Sequence, residues 1–176
     1  MRHYAITILV LLLAVQACSI PGTPTPILTD WTQSSVTVPS ATIMLTVYFT
    51  DIARFQVGTE PYETAVPRMV PAPSSLPEAV LTQLFLGPTE AEKAQGLTVV
   101  LSGTTGFSSL IIENGVARVY LTGICNSQGS TYTIANLIFA NLKQFPEIQW
   151  IKIYDQNGET ETTGGQSSSI PFCLEP

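Results

Sequence analysis

Asn114-Gly115 lies between two alternating apolar stretches, residues 107–113 and 116–121. An Asn-Gly pair accepts positive φ at both central positions of a tight turn, and the twist of that turn matches the flanking strands. This dipeptide commits the middle of the chain to an antiparallel hairpin, and the other segments must supply what covers it. Residues 43–49 (Ile-Met-Leu-Thr-Val-Tyr-Phe) are apolar nearly throughout, as expected of a strand central in its sheet. Residues 66–70 make a shorter strand. Pro67 and Pro71 confine it to an edge, because proline has no N–H to give a neighbour. Residues 148–154 alternate and form a last strand.

Helical spacing appears twice. Ser75 and Glu78 have the separation of a capping box, and Pro77 sits in the first turn, where a missing N–H costs little. Leu76, Val80, Leu81, Leu84 and Phe85 then share one face, and Gly87-Pro88 stops the helix. Thr89 and Glu92 open a single short turn, residues 91–95, closed by Gly96. Ser130 opens the second helix; Ile134, Leu137, Ile138, Leu142 and Phe145 recur at its period, and Pro146 ends it. The order β-β-α-β-β-α-β defines an α+β domain, a mixed sheet with two helices packed on one face.

The ends of the chain carry a different message. Arg2 precedes a predominantly apolar run at residues 5–15, too short to span a membrane but of signal-peptide length. Val15-Gln16-Ala17-Cys18 follows and is similar to the lipobox of bacterial lipoproteins, in which a small residue precedes the cut and the cysteine thiol accepts a diacylglycerol group. The expected organisation is a signal peptide at 1–17, a lipidated Cys18 with a Pro/Thr/Ser-rich linker at 18–41, and one domain at 42–174. The competing reading is an ordinary secretory signal in which Cys18 has no role. Two or more acyl chains would hold the protein stably at the cell membrane, facing outside the cytoplasm.

The chain has three cysteines, an odd number for an oxidising compartment. If lipid consumes Cys18, Cys125 and Cys173 remain, and a disulfide between them is expected; the alternative is two free thiols. Such a bond closes a separation of 48 residues, a constraint worth about 4 kcal/mol in the chain-entropy model. Residues 170–174 must then return to the domain. Trp31, in the linker, has no assigned place.

The net charge of −6 disfavours nucleic acid and offers no basic patch for anionic lipid, so attachment to a membrane rests on the acyl group. His3, the only histidine, leaves with the signal peptide. The mature chain therefore builds neither a histidine-activated nucleophile nor a histidine metal site, and no cofactor is expected. Glu90 and Glu92 are two apart on a helix, point different ways, and read as first-turn acids favoured by the helix dipole. Gly103-Thr104-Thr105-Gly106 reads as a plain turn without the lysine of a phosphate loop. The candidate recognition residues are Asp51, Arg54 and Arg68, with Arg68 read first as an ion-pair partner of Asp51 or Glu63. A sheet edge open to strand addition, or a flat sheet face, is the expected route to a partner.

Several blocks resemble the GerMN domain, also called the sporulation and spore germination domain. They are Val47-Tyr48-Phe49-Thr50-Asp51, Val66-Pro67-Arg68, the stretch Leu84-Phe85-Leu86-Gly87-Pro88-Thr89-Glu90-Ala91-Glu92-Lys93-Ala94-Gln95-Gly96-Leu97, the hairpin from Asn114-Gly115-Val116 to Leu121-Thr122-Gly123, and Gln144-Phe145-Pro146-Glu147-Ile148. The similarity runs over roughly residues 43–155 in the family's order. It implies an envelope lipoprotein, in some members linked to sporulation and germination, with a fold like that of ring-building modules and with no enzymatic activity. It also implies an envelope protein partner or self-association. This chain has one copy where the sporulation lipoproteins have two, and it adds a C-terminal tail. The alternative function is binding of a peptidoglycan fragment or small solute, in a concave pocket lined by Tyr48, Tyr62, Tyr120 or Trp150.

Overall fold

A computed structural model describes residues 41–176. The expected signal peptide, Cys18, Trp31 and all of the expected linker but Ala41 lie outside the described residues. Strand β1 (Thr42–Asp51) runs into a short helix α1 (Ile52–Val57), then β2 (Glu63–Pro71), helix α2 (Leu76–Leu86) and the single turn α3 (Glu90–Ala94). A two-residue strand β3 (Leu97–Thr98) leads to the hairpin β4 (Thr104–Glu113) and β5 (Val116–Gly123). Helix α4 (Ile134–Leu142), strand β6 (Trp150–Tyr154) and a final 3-10 turn (Phe172–Leu174) complete the domain.

The α+β class is as expected, but the strands divide between two three-stranded sheets instead of forming one. Their orders are β2-β1-β3 and β4-β5-β6. The first is antiparallel, with β1 central and β2 at the edge. In the second, β5 pairs antiparallel with β4 and parallel with β6, and the crossover passes through α4. The division has a local cause. Along β1, backbone groups facing away from β2 bond to β3 only at its last two residues. Further back a helix side chain takes over: Asn141 of α4 receives the Tyr48 N–H at 2.9 Å and donates to the Tyr48 carbonyl at 2.9 Å. Gln144 donates to the Thr46 carbonyl at 3.1 Å. Side-chain amides stand where a strand would.

The inward side chains of β1 (Val47, Phe49), of β5 (Ala117, Val119, Leu121) and of β6 (Ile151, Ile153) meet Leu81 and Leu84 of α2 and Leu137, Ile138 and Leu142 of α4 in one core. Asn114 and Gly115 both have positive φ, the backbone expected of the hairpin turn. At the other end of the hairpin the strands approach closely: a Cβ on Gly103 would lie 2.2 Å from the Ile124 carbonyl oxygen, so only glycine fits there.

Four local expectations are corrected. Leu76 is exposed at the start of α2, and Pro77 is buried in its place. Helix α4 starts at Thr133, whose hydroxyl and Asn136 form a capping box; Ser130 instead turns back onto the Tyr132 N–H. Residues 104–106 belong to β4 and are not a plain turn. Asp51, expected at a recognition surface, instead caps a helix: its carboxylate accepts the Arg54 N–H at the start of α1, which Gly58 closes with φ of 69°.

Candidate interaction surface

The residues expected to recognise a partner are occupied within the domain. Arg68 points inward from β2, and its guanidinium stacks 5.3 Å from the centre of the Phe49 ring. Its partner is Glu92 of α3, not Asp51 or Glu63: Nε donates to one carboxylate oxygen at 3.1 Å and Nη2 to the other. Nη2 also donates to the Gly87 carbonyl and Nη1 to Gln83. Arg68 therefore ties the edge strand to the end of α2 and to α3. Arg54 donates to the Pro61 carbonyl at 2.9 Å and holds the α1–β2 loop, while Asp51 also accepts from Thr64. Glu90 pairs with Lys93.

Glu92 serves two roles. Its carboxylate bonds Arg68 and also receives the Thr89 N–H at 2.6 Å to complete the capping box. Burial raises its pKa, but the Thr89 N–H and the Arg68 guanidinium outweigh burial and hold Glu92 below the usual carboxylate range. A lowered folded pKa adds stability above the unfolded value of about 4.5, and this stability is lost as pH falls through the folded value. We expect Arg68→Ala to lower the unfolding free energy by about 2 kcal/mol at neutral pH, since it leaves a mostly buried carboxylate without its cation. The difference should shrink in acid. Urea titrations at pH 7 and pH 3 check this, and an equal loss at both would contradict it.

Tyr132, Phe55 and Tyr62 form an aromatic cluster with ring centres 5.2 to 5.5 Å apart. The Tyr132 hydroxyl bonds Thr50 at 3.1 Å and donates to Glu63 at 2.8 Å. Burial first, and then the Glu63 carboxylate, push this phenol well above its ordinary value of 10 despite the Thr50 contact. The unfolded chain would lose the proton first, so the stabilisation is complete below about pH 10 and declines above it. Tyr132→Phe should flatten the alkaline limb of a stability–pH profile; a limb unchanged by the substitution would refute the assignment.

The aromatic residues proposed as pocket walls are not brought together. Tyr48 lines a shallow depression with Lys143 and Gln144, and Tyr62 lines another with Glu60. Tyr120 stacks on Tyr154 with centres 4.6 Å apart. Trp150 is partly exposed at the start of β6. A separate cavity of about 370 Å³ has a mixed wall, with Val100 and Tyr132 beside the neutral polar groups of Ser102, Asn126, Gln128 and Ser130.

Cys125 and Cys173 are joined by a disulfide with Cα atoms 5.6 Å apart. Asp155 lies within 4.8 Å of both sulfurs, the one such grouping of possible metal ligands among the described residues. With both sulfurs bonded to each other, neither is a thiolate. Among the described residues no helix is long and apolar enough to cross a membrane.

The sheet edges differ sharply in what they offer. The Ala72 N–H donates to the Ala41 carbonyl and the Asp51 N–H to the Tyr62 carbonyl, which bracket the β1–β2 ladder. Alternation between these bonds turns the backbone of residues 63, 65, 67, 69 and 71 away from β1. Pro67 and Pro71 are among them, so two outward positions of this edge carry no N–H, and strand addition there is blocked. The far edge of β1 is closed by α4. In the second sheet β6 is covered by the C-terminal tail, through the Ser169 N–H to the Ile151 carbonyl and the Ile153 N–H to the Ser169 carbonyl. Among the described residues β4 has no strand on its outer side. Its bulges lie in the first half, so residues 109–113 form the regular part of the open edge.

This is a small α+β domain with one open strand edge and no assembled catalytic group among the described residues. The family model described as Germane, sporulation and spore germination, matches residues 46–162, and the chain belongs to that family. Among solved structures it is similar to the tandem GerMN domains of the sporulation protein GerM from Bacillus subtilis. Identity is 20% and the TM-score 0.48, over 82% of this chain and 51% of that one. The chain thus spans about half the length of the tandem structure. It is also similar to the first GerMN domain of the same protein, at 19% identity and a TM-score of 0.41, over 76% of this chain and 97% of that one. No curated protein matches.

Proposed function

We propose that the protein is an extracytoplasmic lipoprotein, anchored to the cell membrane through Cys18, whose GerMN-type domain is a non-catalytic interaction or assembly module of the envelope with a role in sporulation or germination. The observation that carries this reading is the family match over residues 46–162. Two features support the interaction part. The inward charged residues are spent on internal contacts, and the open edge of β4 presents unpaired backbone groups of the kind that take up a strand from a partner. The partner is another envelope protein or a second copy of this chain.

Crosslinking in intact cells, followed by purification through this chain, tests the module. Recovery of a defined envelope protein or of a homodimer is expected, and recovery of the uncrosslinked chain alone would sink the proposal. Mass spectrometry of the membrane fraction tests the anchor: the mature chain should begin at a diacylglycerol-modified Cys18. The second reading, binding of a peptidoglycan fragment or small solute, draws on the cavity beside Ser102 and Gln128. Its hydroxyl and amide walls suit a hydroxyl-rich ligand, and titration with a muropeptide separates the two readings.

A further inference from the structure

The family match ends at residue 162, but the chain goes on to bury Leu174 in the core, 2% exposed. Between these points it lies along β6 as a strap. The Ile153 N–H donates to the Ser169 carbonyl at 2.9 Å, the Ser169 N–H to the Ile151 carbonyl at 3.1 Å, and the Ile151 N–H to the Ser168 hydroxyl at 3.1 Å. The pairing is parallel, as a further strand of the sheet would be. Lys152, fully buried in the middle of β6, donates to the Thr162 and Gly164 carbonyls of the same segment. The Cys125–Cys173 bond fastens the far end.

Beneath the strap, β6 reads Trp-Ile-Lys-Ile-Tyr. It has no proline and no bulge, so apart from Lys152 it lacks the devices that keep an edge from pairing. At the opposite side of the same sheet β4 is open, and its only charged residue is Glu113. An uncovered β6 and an open β4 are therefore complementary, one edge carrying a single lysine and the other a single glutamate, which lies 66% exposed and 3.6 Å from Arg118 of β5. A β6-to-β4 contact between two copies is head to tail, and each added copy presents a fresh edge to the next.

We propose that the C-terminal strap is an edge guard: it fills the strand-addition site of β6, locked by Cys125–Cys173, and keeps β4 of a second copy from pairing there. The inference rests on the assembly reading only for the identity of the occupant. It is tested on the purified chain alone, so its failure is distinct from failure to find a partner in cells.

The mature chain is compared in four forms: oxidised, reduced in place with a water-soluble phosphine, Cys125→Ser with Cys173→Ser, and Ser169→Pro, which removes the N–H bonded to Ile151. Hydrogen exchange at residues 150–154 reads the cover, and light scattering across a concentration series reads association. Opening the strap should speed exchange at β6 by at least about tenfold and convert a monomer into concentration-dependent oligomers. Adding Ile111→Lys, a charge on the edge strand β4, should restore the monomer. Unchanged protection of the β1–β2 amides shows that each form is folded, and the reduced wild type decides the matter if a variant fails this check. A chain that exposes β6 yet stays monomeric overturns the proposal. So does a strap that stays protected with the disulfide open, or an oxidised chain that already grows head to tail.

Discussion

Replacing Lys152 with alanine is expected to lower the unfolding free energy by about 3 to 5 kcal/mol, because two costs combine. The side chain is fully buried, and no ion pair to it exists among the described residues. Its ammonium is held by the Thr162 carbonyl at 2.6 Å, the Gly164 carbonyl at 2.9 Å and, more weakly, the Ser167 hydroxyl at 3.5 Å. Alanine removes the alkyl stem and leaves a void between sheet and strap. It also takes the lysine donor from the Gly164 carbonyl and one of two donors from the Thr162 carbonyl, which keeps the Ser169 hydroxyl at 3.0 Å. Lys152→Met keeps most of the stem and loses only the donors, so it should cost less than alanine. Urea unfolding of the two variants measures both components, and an alanine variant within about 1 kcal/mol of wild type would contradict the buried role.

Asn141→Leu should cost about 2 to 4 kcal/mol, by a different route. The asparagine is fully buried and its carboxamide is saturated: it accepts from the Tyr48 N–H and donates to the Tyr48 and Leu137 carbonyls, each at 2.9 Å. Leucine keeps the branched shape and is bulkier, so no cavity forms. What it cannot supply is the pair of bonds that replaces a strand beside β1. The loss should therefore be local as well as global, with amide exchange at Tyr48 accelerating more than exchange at the β4–β5 hairpin. A uniform acceleration, or a stability equal to wild type, would show that the amide is not substituting for a strand.

Much of the fold was legible because its signals are local. Ser75, Thr89, Asn114-Gly115 and Gly87-Pro88 act within a few residues of themselves, and each sits where the caps and turns require it. Pro67 and Pro71 announced an edge strand for the same reason, since a missing N–H is a property of the residue alone. Helix α1 was missed although Asp51 and Gly58 have the spacing of a cap and a closing glycine. The continuous apolar run before Asp51 masked that signal. Arg68 was read as a partner of nearby acids. Its true partner, Glu92, is 24 residues away and meets it only because β2 and α3 fold against the same end of α2. Lys152 looked like the polar position of an alternating strand, and nothing near it in the chain indicates that a strap will cover it.

By itself the amino-acid sequence determined the element types, the hairpin, the central and edge roles of β1 and β2, and the family to which the chain belongs. The elements and their roles follow from propensity, capping and periodicity, which operate over short stretches of backbone, whereas the family follows from the match of whole sequence blocks over residues 46–162. Only the tertiary structure decided that the strands split into two sheets, that Asn141 closes one edge and the C-terminal strap another, and that β4 is left open. Those outcomes depend on which backbone groups find a hydrogen-bond partner after packing, and the partners lie tens of residues apart along the chain.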